Sequence, residues 1–124
     1  YSDNANLKEA VREISGDIQL YKQRAVAENT RYRMAFDVDN NDYTIQRETN
    51  GVWNNVISDK QIGAGHEDTI KINGNTTFTN DTIIFQTRGT TSAGALEIRH
   101  EKRLSEAEIE TNLMGRVRVT YDLK

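Results

Sequence analysis

The stretch NLKEAVREISGDIQLYKQRAVAEN, residues 6–29, decides the fold. In it Leu7, Val11, Ile14, Ile18, Tyr21 and Ala25 recur at alternating steps of four and three, the stripe of an amphipathic α-helix. Between them stand Lys8, Glu9, Arg12, Glu13, Asp17, Lys22, Gln23 and Arg24. One face is therefore built for burial and the other for water. Asn6 with Glu9 three residues on reads as a capping box, with Asp3 or Asn4 as alternative caps. Gly16 in the interior costs about 1 kcal/mol relative to alanine, which points to close packing there.

Beyond this helix the chain reads as strands and turns, so the expected fold class is α+β: a long N-terminal amphipathic helix, about 6–29, packed on antiparallel sheet from a β-rich head, about 31–124. Tyr32, Met34, Phe36 and Val38 alternate with polar or small residues, the period of a half-buried strand. Asp39, Asn40, Asn41 and Asp42 mark a turn, and Tyr43, Ile45 and Arg47 form the returning strand, which ends near Thr49, Asn50 and Gly51. Trp53, Val56 and Ile57 lie between turn formers and read as a meandering segment, with Trp53 a core anchor. Further strands are expected around Ile70 and Ile72, over 77–79 and 82–87, through Leu96 and Ile98, and over 108–111 and 116–121.

The length of 124 residues suits one domain with one core. A net charge of −3 gives no global basic field for nucleic acid. Without cysteine the chain has no disulfide, thiol nucleophile or thiolate metal site. No run approaches the roughly 20 apolar residues that cross a bilayer, and residues 1–6 resemble no signal or transit peptide. The chain is thus expected to be soluble as it stands. Its opening directly into a helix without methionine fits a mature fragment.

Asp37, Asp39, Asn41 and Glu48 fall at positions 1, 3, 5 and 12 of a calcium-loop pattern. Position 6, where the sharp turn calls for glycine, is Asp42, and the flanks read as strands, so an Asx-rich hairpin turn is the reading adopted. His66 and His100 are far apart in no metal-binding motif; His66 reads as a solvated loop residue and His100 as the start of a solvated charged turn with Glu101, Lys102 and Arg103. Gly63, Ala64 and Gly65 precede no helix and lack the lysine of a phosphate-binding loop. No spacing singles out a carboxylate pair for acid–base work. No catalytic residue, cofactor, metal or small-molecule substrate is expected.

The C-terminal third adds more specific residues. The run Ile83, Ile84, Phe85, Gln86, Thr87, Arg88, Gly89, Thr90, then Gly94 and Leu96, then Gly115, Arg116, Val117, Arg118, resembles the GspH/FimT family of minor pseudopilins and pilins. Thr87 replaces the family's common proline, and the hairpin into Asn50, Gly51, Val52, Trp53 resembles its first half. The resemblance implies a pilin-like fold and a bacterial subunit of a type II secretion pseudopilus or type IV pilus, near the filament tip. It also implies an apolar half-helix before residue 1 that anchors the protein in the inner membrane with a periplasmic head before assembly, and other pilins or pseudopilins as partners.

In FimT-like members the final G-R-x-R segment is associated with DNA uptake, and Gly115, Arg116, Val117 and Arg118 match it. Alternation puts Arg116 and Arg118 on one exposed face, with Lys102 or Arg103 as further DNA contacts from the preceding turn. Against this, Glu106, Glu108 and Glu110 are expected on the adjacent strand, where they offset that charge. Phe85, Arg88, Gly89 and Gly115 read as structural: Gly89 for a turn or bulge, Arg88 as the partner of a nearby carboxylate. The loops 63–68 and 90–94 are the expected variable contact surfaces.

Overall fold

The structure, a computed structural model, describes residues 2–124, with side chains from Asn4 onward. One helix, α1 (Ser2–Glu28), is followed by eight strands: β1 (Tyr32–Asp37), β2 (Asp42–Thr49), β3 (Val52–Gln61), β4 (Ile70–Ile72), β5 (Thr82–Phe85), β6 (Gly94–His100), β7 (Glu106–Thr111) and β8 (Val117–Asp122). They form two antiparallel four-stranded sheets, ordered β3-β2-β1-β5 and β4-β6-β7-β8. All six stripe residues of α1 are buried, and Ala10 with them. They pack on Tyr32, Met34, Tyr43, Ile45, Ile83 and Phe85 of the first sheet and on Leu96, Ile98 and Ile109 of the second. A single helix face thus covers the inner sides of both sheets.

The helix starts earlier than the capping signature implied: Asn6 lies a full turn inside it, so it is no cap, and Asp3 as a cap lies outside the described side chains. Its C-terminus is closed by Asn29 at φ 50, with Asn29 N–H donating to Val26 O and Thr30 N–H to Ala25 O. This is a Schellman end with asparagine in the left-handed position. Gly16 is not closely packed. A Cβ there would meet nothing within 4 Å.

Four further expectations are overturned. Residues 53–57 do not meander: Asn50 and Gly51, at φ 52 and 79, make a two-residue turn from β2 into the ten-residue strand β3. Positive φ at both central residues is the type I′ turn whose twist suits a hairpin. Trp53 is not in the core; it is half-buried on the outer face, with Arg33 and Arg31 guanidinium carbons 4.3 and 5.3 Å from its ring centre. Residues 77–79 are not a strand, because Thr79–Asp81 is a short 3₁₀ turn held by Thr76 Oγ1 and N–H donating to Asp81 Oδ1. His100 is not solvated: it is buried at the end of β6, and its Nδ1 accepts from the N–H groups of Lys102 and Arg103, shaping that turn.

The sheets are tied at both ends. At one, the buried Asn41 donates from Nδ2 to Ile70 O at 2.8 Å and accepts at Oδ1 from Ile72 N–H at 2.8 Å, fastening the β1–β2 turn to β4. This engages the amide that the calcium-loop pattern assigned to a cation. At the other, loop 86–92 runs between β5 and the β7–β8 turn: Ser92 Oγ accepts from Ile84 N–H, Ser92 O accepts from Thr111 Oγ1, and Thr91 Oγ1 donates to Asn112 O.

Candidate functional site

The residues of the family-like motifs converge where α1 meets loop 86–92 and the β7–β8 turn. Gly89 and Gly115 both have positive φ, 91 and 81. A Cβ on Gly115 would run into the Gly89 carbonyl oxygen and approach Lys22 Cδ at 3.0 Å, so this position requires glycine on two counts. Lys22 Nζ donates to Gly115 O at 2.9 Å, a bond from helix to turn across 93 residues of chain. Phe85, fully buried, closes β5 beneath this junction.

Asn112 organises the turn. Its Oδ1 accepts from Met114 and Arg116 N–H, and its backbone O accepts from Gly115 N–H at 2.9 Å. Leu113 and Met114 are consequently held outward, 67% and 75% exposed. Neither stood out in the sequence, since an apolar pair before a glycine is equally a core signal. Arg88, expected to pair with a carboxylate, has no ion pair or hydrogen bond among the described residues and is exposed. It lines a groove of about 460 Å³ together with Ile84, Thr91, Leu113 and Met114.

Arg116 and Arg118 are both exposed and two residues apart, Arg118 within β8 and Arg116 just before it. Glu110 lies directly opposite Arg118, and Glu108 and Glu106 continue along β7 opposite Thr120 and Asp122. Lys102 and Arg103 do not join the arginines. Their turn leads into Glu106, which pairs with Asp122, four residues along β8 from Arg118, or about 14 Å. Arg103 instead donates to Lys124 O at 2.6 Å. On the outer face of this sheet like charges stand opposite one another, Glu97 to Glu108 and Glu106 to Asp122.

Electrostatics elsewhere hold helix to sheet. The Tyr32 hydroxyl donates to Glu28, with Arg24 and Arg47 beside it, and these hold the Glu28 carboxyl down at about 2. Asp17 accepts from the Tyr43 hydroxyl at 2.6 Å and from Lys60 Nζ at 2.8 Å, and Lys60 also reaches Glu13 at 3.0 Å. Burial, reinforced by Asp17, pushes the Tyr43 hydroxyl far above its ordinary range. Among the described residues no three His, Asp or Glu side chains are grouped to hold a metal.

A family model described as type II transport protein GspH matches residues 10–115. Two solved structures of the minor pseudopilin EpsH from the type 2 secretion system of Vibrio cholerae share the fold. One superposes with a TM-score of 0.75 at 13% identity, covering 93% of this chain and 96% of that one. The other gives 0.72 at 10% identity, with 94% and 96% covered. No curated protein sequence matches the chain.

Proposed function

This chain belongs to the GspH family of type II transport proteins, and we propose that it serves as a structural subunit of a secretion pseudopilus, placed near the filament tip and performing no chemistry of its own. The observation that carries this reading is the division of labour along α1. Its buried stripe is spent on the two sheets, while Leu20 and Val26 lie outside that stripe and stay 46% and 50% exposed. A helix of 27 residues, about 40 Å long, thereby acts as a rod rigidly bound to a shaped head.

Rod and head suit addition to a filament through heterologous contacts, which propagate when they do not close into a ring. Partners on this reading are other pseudopilins. Before assembly the full-length protein is held in the inner membrane, head in the periplasm, by an apolar segment preceding α1, as the family resemblance implies. No helix among the described residues is itself long and apolar enough to cross a membrane.

A strain lacking this subunit, complemented with full-length protein, tests the reading through the amount of secreted protein in the medium. Loss of secretion restored by complementation is expected. Undiminished secretion without the subunit would overturn it. DNA uptake through Arg116 and Arg118 has only their shared exposed face in its favour, and the carboxylates of β7 stand against it.

A further inference from the structure

We propose that the groove between β5 and the β7–β8 turn is the seat of a neighbouring pilin-like subunit, which inserts an apolar side chain followed by a carboxylate. This rests on the filament reading and names the surface it uses. Leu113 and Met114 are the two most exposed large apolar side chains among the described residues. Soluble monomers keep contiguous apolar exposure small, so a paired exposure beside a groove marks a contact surface.

The pair cannot fold inward. Asn112 fixes the turn through four hydrogen bonds, Lys22 pins Gly115 to the helix, and Gly115 is wedged against Gly89. A surface rigid before binding loses little entropy when covered. Methionine, unbranched and polarizable, adapts to the shape of what lands on it.

Charge selects the partner. Arg88 is the only charged side chain lining the groove, and among the described residues it has no ion pair or hydrogen bond, in a chain whose net charge is −3. A guanidinium free of intramolecular bonds takes a carboxylate in a two-pronged contact. A phosphate polymer could occupy Arg88 but would leave Leu113 and Met114 in water. An apolar side chain with a nearby carboxylate satisfies both at once.

The test titrates the chain, calorimetrically, with the soluble domain of each other pseudopilin of the same secretion apparatus. Met114→Glu, Arg88→Glu and, on the distant β3 edge, Val52→Glu run alongside, with thermal melts to show that each variant folds. One partner is expected to bind wild type and Val52→Glu alike and the two groove variants at least tenfold more weakly. Reversing one partner carboxylate to lysine should restore Arg88→Glu. Equal binding by all variants would overturn the groove while leaving the filament subunit intact. Binding of no pseudopilin, with secretion unaffected by the subunit's deletion, would overturn both. Self-association abolished by Met114→Glu, or duplex DNA retention abolished by Arg88→Glu, would overturn the choice of occupant.

Discussion

At Gly16 the exposed helix surface leaves open space where a side chain would go. Gly16→Ala is expected to stabilise the protein by about 1 kcal/mol, read as a rise of a few degrees in Tm. A drop would mean that an unseen contact needs the bare backbone. Gly115 is the opposite case, and Gly115→Ala should lower Tm, because its Cβ collides with the Gly89 carbonyl at a φ that disfavours any side chain. Asp42 is buried beside Asp37 and Asp59, and burial first, then those two charges, raise its carboxyl above the usual range. A raised folded value means that ionisation opposes folding, so Asp42→Asn should raise Tm at neutral pH and lose that advantage as pH falls below the carboxylate range. Glu28 has the reverse sign. Held at about 2 against an ordinary 4.5, it stabilises fully above pH 4.5 and loses that contribution as pH falls toward 2. Glu28→Gln should therefore flatten the fall of Tm between those values, and an unchanged acid slope would show that the Tyr32 and Arg24 contacts contribute nothing.

Among the elements, α1 was legible because burial on one helix face imposes a 3.6-residue period that survives in sequence, and β1, β6 and β8 were legible through their period of two. β3 was not, because it is an edge strand whose apolar residues Val52 and Val56 stay in water, and the register shifts between Ile45 and Gln46. The Asn50–Gly51 pair carried the signal that pattern alone lacked. Trp53 and His100 misled for a shared reason: type predicts burial only on average, and here cation stacking holds an aromatic outside while backbone N–H groups hold an imidazole inside. The groove at Arg88 joins residues about 25 positions apart in sequence, so no local pattern could reveal it. The helix–sheet contact makes its own prediction. Asp17→Ala strips the Tyr43 hydroxyl of its acceptor and leaves Lys60 with Glu13 alone, at an expected cost of about 1–3 kcal/mol. In a double-mutant cycle with Tyr43→Phe the two changes should be strongly non-additive. Additive costs would place the interaction elsewhere.

Over the whole molecule, charge placement bears on the proposed filament role and on its nucleic-acid alternative. A protein that holds DNA through a few phosphate contacts needs those cations to act as one patch, since each contributes through released counterions. Here the candidates are divided. Arg116 and Arg118 stand at one end of β8, Lys102 and Arg103 at the other, and between them β7 presents Glu106, Glu108 and Glu110. At net charge −3 the far field repels a polyanion before any local contact forms. The apolar turn at Leu113 and Met114 lies apart from these carboxylates, which supports the protein-facing groove proposed above. Binding of the chain to labelled duplex DNA across a salt series, with the Arg116→Ala, Arg118→Ala double variant in parallel, checks this. Wild type is expected to retain no duplex even at low salt and the variant to behave identically. Retention that weakens with salt and vanishes in the variant would show that two arginines outweigh the field around them, and β8 would then be the working surface.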